Sequence, residues 1–489
     1  MIASERQLAV YNTWRTDDNN ILINAVAGSG KTTLLLNLMR MSQYRVLFLA
    51  FNKSIKVEIQ DYIDTNNLQQ GKAMTLHSLG LLSIRKKFRK FKINNNKNYE
   101  LASAVRQMNP EHYRDLEQSE KYRLNFMLMD MNDVSRIYLT NNLSMIKKYM
   151  ISMDKPIHDI PNLKQLWIDF IQLRDATYRQ NVIEIDFADM IYVPVNFNLH
   201  IPIKPTYVFI DEAQDLNLAQ HTLIDNLINQ GDVDRWVSVG DKNQSIYGFS
   251  GSHSNSFDKF KEKENVVELP LDICYRCPQD IITEANKVYD VMEGFKQNSG
   301  RIGEIDDAIH IKNDSMVVCR NTSPLIELYF NLLSLEKKCY IKGKDILGKL
   351  MSFLKPFKRN KIEYVINKSL SKLGKLSDKE DLSSKFESYR LQENLDSLIA
   401  IVNGDMITSN DKVEKLLGKI NTIFDESRGG ITLCTIHKSK GLESDVVYIL
   451  NENLIPSKYA KSSSQLKQEQ NLRYVARTRA KEEMYYLNL

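Results

Sequence analysis

A chain of 489 residues, 43% of them hydrophobic, can bury several cores, and ordinary domain size divides it into roughly three or four domains. A net charge of +5, from 66 Lys and Arg against 61 Asp and Glu, is too weakly basic to identify a polyanionic partner, so any nucleic-acid reading rests on where cations and aromatics sit. The charged start Met1-Ile2-Ala3-Ser4-Glu5-Arg6 excludes a signal peptide, no apolar run approaches the ~20 residues of a membrane span, and five cysteines give no disulfide framework, all of which fits a soluble cytoplasmic protein with no membrane partner.

In chain order, Ser4-Glu5-Arg6-Gln7 has the spacing of a capping box at a helix start. The apolar run Ile21 to Ala25 reads as a strand and leads into Ala25-Val26-Ala27-Gly28-Ser29-Gly30-Lys31-Thr32-Thr33, ahead of the helical Leu34 to Leu38. Strand, glycine loop and helix form the context of a Walker A loop, although Ala25 stands where the pattern has its first glycine. In such a loop Gly28, Ser29 and Gly30 let backbone N–H groups curl around phosphates, Lys31 reaches the terminal phosphates, Thr32 holds Mg²⁺, and Thr33 follows at the helix N-terminus. ATP and Mg²⁺ are the cofactors this implies.

Val46 to Phe51 is a second strand, and a third lies near Met74. Residues 78–185, rich in Leu, Ile, Lys and Asn, predict a mostly helical insertion; its run Arg85 to Lys92 is the densest cationic patch, suited equally to phosphate contact and to a solvated helix face. Val208 to Ile210 then delivers Asp211-Glu212-Ala213-Gln214-Asp215 at a strand end, with Asp211 placed for Mg²⁺ and Glu212 for orienting and deprotonating the attacking water. A further strand, Val237 to Val239, leads into Gly240-Asp241-Lys242-Asn243-Gln244, where Gln244 is a candidate γ-phosphate sensor. Cys274-Tyr275-Arg276-Cys277 has a C-x-x-C spacing with no second ligand pair nearby. Met316 to Cys319, Ile431 to Cys434 and Val446 to Leu450 complete the buried strands, with a second helical stretch at 346–428 and a last strand within 481–489. The strands fall into two groups, about 21–51 with 206–240 and about 266–345 with 429–489, so the pattern predicts an α/β protein of two parallel-sheet cores, each with a mostly α-helical insertion.

These motifs resemble those of superfamily 1 helicases of the UvrD/Rep/PcrA type, in the family's order and over nearly the whole chain. Asp211-Glu212-Ala213-Gln214-Asp215 is a specific form of that family's Walker B box; Gly240 to Gly251 resembles its motif III, Tyr275-Arg276 motif IV, Thr435 to Glu443 motif V, and Tyr474 to Ala480 motif VI. Ala50 to Ile55 and Thr75-Leu76-His77-Ser78 are closest in wording to the F-box DNA helicase branch and its bacterial and phage relatives, here with neither an F-box-like leader nor a nuclease domain expected.

The resemblance implies two tandem RecA-like P-loop domains: a first core of residues 1–77 and 186–268 with an insertion at 78–185, and a second core of 269–345 and 429–489 with a reduced insertion at 346–428. It implies that Arg276 and Arg479 reach the γ-phosphate, that Tyr275 stacks on adenine, that Gln7 bonds the base edge, and that Gln214 and Glu443 contribute to the nucleotide site. For Gln7 the rival is the capping box alone, and for Glu443 a surface acid.

It further implies ATP-driven 3′-to-5′ movement along single-stranded and tailed duplex DNA, in replication, recombination or repair. A stacking track for bases would then draw on Phe51, Asn52, Thr75, His77, Tyr247, Phe249, Thr435 and His437. Each aromatic of this set suits core packing equally well; their shared position after strand ends favours the track. The alternatives are a DNA-stimulated ATPase that remodels DNA-bound protein with little unwinding, and a P-loop switch or kinase with a small substrate.

Overall fold

The computed structural model describes residues 3–489 apart from 115, 117, 154, 156, 158–161, 181, 249–250, 252–254, 378–381 and 405. It divides into two compact units, Met1–Ala25 with Gly30–Leu271, and Val26–Ser29 with Asp272–Leu489. Each unit is built on a six-stranded parallel sheet.

In the first unit the strands are β1 (Asn20–Ala25), β2 (Val46–Ala50), β3 (Gly71–Thr75), β4 (Tyr207–Ile210), β5 (Arg235–Gly240) and β6 (Val266–Leu271). Their order across the sheet is β3-β2-β4-β5-β1-β6. The continuous apolar runs arise because both faces are covered. Ile21, Ile23, Phe48, Phe209 and Val237 pack into a core on one face, while Leu22, Leu47, Leu49, Val208 and Trp236 pack into a core on the other. Because all the strands run parallel, Ala25, Ala50, Thr75, Ile210 and Gly240 end along one edge of the sheet, the edge at which open α/β sheets bind ligands.

The strand grouping differs from expectation at one point. Residues 266–271 fall with the second group by sequence order, yet β6 pairs with β1, Ile21 opposite Val267 and Ile23 opposite Leu269. Its run Val-Val-Glu-Leu-Pro-Leu sits at the sheet edge, where Pro270 costs no ladder bond on the open side.

The first insertion is helical: Lys97–Met108, Gln118–Ile137, Leu143–Ser152 and Leu163–Thr177 enclose their own core around Leu128, Met131, Leu166, Trp167 and Phe170. At its base Phe91–Ile93 pairs in parallel with Ile183–Ile185, a ribbon too short to register as a strand pattern.

In the second unit the strands are β7 (Arg301–Ile305), β8 (Met316–Cys319), β9 (Cys339–Ile341), β10 (Ile431–Thr435), β11 (Ser444–Leu450) and β12 (Ala480–Leu487), ordered β7-β12-β11-β8-β10-β9. The second insertion is also helical, with Ile362–Ser377, Leu382–Asn403 and Val413–Lys419, and part of it packs into the sheet domain's core. Leu354, Val365, Leu398, Ile401 and Leu416 belong to the same apolar cluster as Val317, Leu325, Tyr329 and Leu433 of the sheet domain. No helix among the described residues is long and apolar enough to cross a membrane.

Candidate nucleotide and nucleic-acid sites

The phosphate loop leaves β1 and turns twice through left-handed backbone, at Gly28 (φ 68°) and Gly30 (φ 78°), a conformation that strains any residue with a Cβ. Gly30 is also the N-cap of the helix Lys31–Met41, which no side chain caps, so its first-turn N–H groups and dipole suit an anion. Ser29 is buried and donates to the Val26 carbonyl at 2.8 Å, which holds the curl. Thr33 is exposed in the first turn. Gln7 closes the capping box with Ser4 (3.2 and 3.3 Å), as its spacing predicts; a methyl group on Gly30 would also lie 3.7 Å from Gln7 Nε2, so the residue caps its helix and borders the loop at once.

Thr32 Oγ1 donates to Asp211 Oδ2 at 3.0 Å, joining the loop to the end of β4. A hydroxyl beside a buried carboxylate is a donor set suited to a hard cation, so Thr32 and Asp211 fit Mg²⁺. Burial, then the neighbouring Glu212 charge, pushes the Asp211 carboxyl up to about 6, while Lys31 and the Thr32 hydroxyl pull it back. Because its folded pKa is raised above the unfolded value of 3.8, stability is present below pH ~4 and lost as pH rises through about 6. We therefore expect Asp211→Asn to stabilise the nucleotide-free protein at pH 7 by about 2–3 kcal/mol while abolishing hydrolysis, measured by denaturant unfolding and ATPase assay. An unchanged or lowered stability refutes the assignment.

Glu212 has φ 53°, an uncommon conformation for a residue with a side chain, and its carboxylate accepts from the Gln214 amide. The Gln214 carbonyl oxygen in turn accepts from Asp241 N–H at 3.0 Å. Gln214 is only 1% exposed and both its amide atoms are engaged inside the protein, so it ties Glu212 to the end of β5. Gly240 is required there, since a Cβ would lie 2.5 Å from Gln214 Oε1. Gln244 is buried and donates to Asp241 Oδ2 at 2.8 Å. Asp241, which lies in the motif III stretch but had no role of its own assigned from sequence, is the hub of this group; burial raises its pKa, and Lys31 and Gln244 oppose that rise.

Two ring pairs follow the same strand ends. Phe51, after β2, stacks on Tyr247, beyond β5, with centroids 5.9 Å apart and planes at 15°. His77, beyond β3, stacks on Phe187 at 3.8 Å and 17°. Phe187 is 59% exposed, an unusual setting for a phenylalanine, and no sequence pattern singled it out beyond an aromatic following a short strand. Burial lowers the His77 pKa to about 4, so the ring stacks as neutral imidazole. Asn52 and Thr75 act as N-caps, accepting from Ile55 N–H and Ser78 N–H at 2.9 and 3.2 Å, which fixes the turns that carry the rings. Phe249 lies outside the described residues. In the cationic run, Arg85, Lys86 and Lys87 occupy an exposed last helical turn, favourable to the helix dipole, and Lys92 pairs with Glu184 at 3.2 Å.

In the second unit, Cys274 to Cys277 form a turn with both thiols buried, closed by Cys277 N–H on Cys274 Sγ at 3.5 Å. Tyr275 N–H donates to the Gly28 carbonyl at 2.9 Å, and its ring tilts against Phe295. Arg276 is held by Glu443 at 2.7 Å and by the Thr478 carbonyl at 3.1 Å, so Glu443 is an arginine partner here. Arg479 is 1% exposed, donating to the carbonyls of Val475 and Leu442 and to the Thr478 hydroxyl at 2.9, 3.3 and 3.0 Å. Thr435 ends β10 as an N-cap, and burial lowers the following His437 to about 3, with Arg320 adding to the effect.

The model for the UvrD/REP helicase N-terminal domain matches residues 5–265, more than half of the chain. The chain belongs to the UvrD/REP helicase family. Among curated relatives, an ATP-dependent DNA helicase Rep from Buchnera aphidicola of Schizaphis graminum is 22% identical over 95% of this chain and 90% of its own length. A PcrA from Staphylococcus epidermidis is 21% identical over 97% of this chain and 82% of that protein. The Rep of Buchnera aphidicola of Acyrthosiphon pisum is 28% identical, but that match spans 55% of this chain and only 42% of the relative. The family match spans the phosphate-loop residues, the Asp211 group and both ring pairs. It ends just before β6, so the roles of Arg276, Arg479, Tyr275 and Glu443 rest on motif wording.

Proposed function

We propose that this helicase-family protein is an ATP-dependent DNA helicase that translocates 3′ to 5′ on single-stranded DNA and acts on tailed duplexes in replication, recombination or repair. The coarser part, an ATP-dependent DNA helicase, follows from family membership. The observation that carries the finer reading is that one sheet edge bears both chemistries: Thr32 with Asp211 for the nucleotide, and two stacked ring pairs, sequence-tolerant platforms for bases.

In this reading Lys31 and the Gly30 helix terminus bind the phosphates, and Thr32 and Asp211 hold Mg²⁺, which neutralises phosphate charge when bound. Glu212 takes a proton from the attacking water, and Gln244 aligns the γ-phosphate. Arg276 and Arg479 stabilise the charge of the transition state, and Tyr275 and Gln7 select adenine. Phe51, Tyr247, His77 and Phe187 grip successive bases, and Thr435 and His437 continue the track.

The test compares ATPase and strand displacement on 3′-tailed, 5′-tailed and blunt duplexes. Activity confined to 3′ tails is expected; activity confined to 5′ tails reverses the polarity. A second reading, protein displacement with little unwinding, gains support from the second insertion sharing the apolar core of the sheet domain. Removal of a bound protein block from single-stranded DNA without duplex unwinding would select it.

A further inference from the structure

Phe187 sits at the tip of a tight turn that two aspartates close. Asp186 N–H donates to Asp189 Oδ2 at 3.2 Å, and Asp189 N–H donates to Asp186 Oδ1 at 2.9 Å. Neither carboxylate belongs to the nucleotide site, both are buried, and the cations facing them come from the first insertion. Arg136 Nη1 lies 2.7 Å from both oxygens of Asp186 and 3.0 Å from Asp189 Oδ1, and its Nη2 lies 2.7 Å from Asp133. Lys97 Nζ donates to Asp189 Oδ2 and to the Glu184 carbonyl, both at 2.7 Å, with its ammonium 4.0 Å above the Tyr178 ring. Tyr178 completes the cage, its hydroxyl donating to Asp189 at 2.6 Å.

Such a cluster is an expensive way to stabilise a fold. Two buried cations against two buried carboxylates roughly break even with apolar residues of the same volume, but they fix one geometry sharply. The geometry fixed here is that of Phe187 and Ala188, the only two residues between the pinned aspartates, and it leaves Phe187 exposed and stacked on His77. Burial works against ionised Asp189, yet Arg136 and Lys97 hold its carboxyl below the usual range, so Asp189 stays ionised at neutral pH.

We infer that Arg136 and Lys97 are positioning residues for the nucleic-acid site: from the helical insertion they lock the Asp186–Asp189 turn and so hold Phe187 as a base-stacking platform on His77. The inference rests on reading that ring pair as a DNA contact. It makes the insertion a determinant of single-strand affinity without itself touching DNA at this point.

The experiment measures single-strand affinity by fluorescence anisotropy with a labelled oligothymidine, together with thermal unfolding and DNA-free ATPase. Arg136→Lys keeps the buried charge but loses the planar fork that joins Asp186 and Asp189, on Nη1, to Asp133, on Nη2. It should weaken DNA binding about tenfold with KM for ATP and DNA-free ATPase unchanged. Phe187→Ala should weaken binding roughly 5- to 150-fold, the usual worth of one stacked base. In the Phe187→Ala background Arg136→Lys should have no further effect. If Arg136→Lys leaves affinity unchanged, or costs the same factor with and without Phe187, the inference is wrong while the platform reading stands. If Phe187→Ala itself binds normally, both fall. Should Arg136→Lys fail to fold, Asp186→Asn probes the same pair from its other side with the same expected and refuting results.

Discussion

Replacing Lys31 by alanine removes ATP hydrolysis, by roughly 10² to 10³ or more, and strand displacement with it, while single-stranded DNA is still bound. The loop geometry explains the selectivity. Gly28, Ser29 and Gly30 build the curl from backbone and one buried hydroxyl, so the loop keeps its shape without the lysine. What is lost is the charge that both Asp211 and Asp241 sense against burial, and that the phosphates would use. The ring pairs do not depend on it. Isothermal titration with single-stranded DNA and a phosphate-release assay on the same preparation check both halves; DNA-stimulated hydrolysis surviving in this variant would falsify the assignment of the loop.

The second large effect is expected at Arg276. An arginine that meets the γ-phosphate only as charge develops contributes about 10³ to 10⁵ in rate in other nucleotide hydrolases. Arg276→Ala should therefore lower kcat by several orders of magnitude with little change in affinity for DNA. Its present partner offers an internal control. Glu443, with a side chain 46% exposed, holds the guanidinium through a pair worth little net energy, one that a nucleotide phosphate can displace. Glu443→Gln should then leave kcat within a few-fold of the parent, whereas Arg276→Lys, which keeps charge but not the fork, should not rescue it. Rapid-quench measurement of the chemical step separates these outcomes, and normal kcat in Arg276→Ala removes the residue from the mechanism. Arg479 is less suited to this test. Its guanidinium braces three backbone and side-chain acceptors, so its removal disturbs the second unit as well.

The sheets were legible because their strands are buried on both faces. Val46 to Ala50 and Met316 to Cys319 are uninterrupted apolar runs of strand length, a signature that half-exposed strands lack, although a buried helical run such as Met190 to Val193 shares it. β6 was misgrouped since a Pro-containing edge strand with polar positions lacks it. The nucleotide residues were legible because phosphate chemistry demands particular residue types at fixed spacing. Gln214 was singled out by its motif, but its bonds to Glu212 and to the Asp241 N–H have no signature in spacing. Phe187 and the Arg136 cage escaped for a different reason. Residues 97, 136, 178, 186 and 189 meet only when the insertion folds, and each alone is an ordinary Lys, Arg, Tyr or Asp.

The two insertions differ in a way that bears on how this motor could change over evolutionary time. The first closes around Leu128, Trp167 and Phe170 without borrowing apolar residues from its host, so it can be exchanged or remodelled as a cassette, provided that the ionic anchor at Asp186 and Asp189 is kept. The second shares its packing with its host. Leu354, Leu398 and Leu416 line the same interior as Val317 and Leu433, so substitutions there are felt by the sheet that carries motif V. On the positioning role inferred for Arg136 and Lys97, drift in the first insertion would retune the grip on DNA, whereas changes in the second would act on the sheet it packs against.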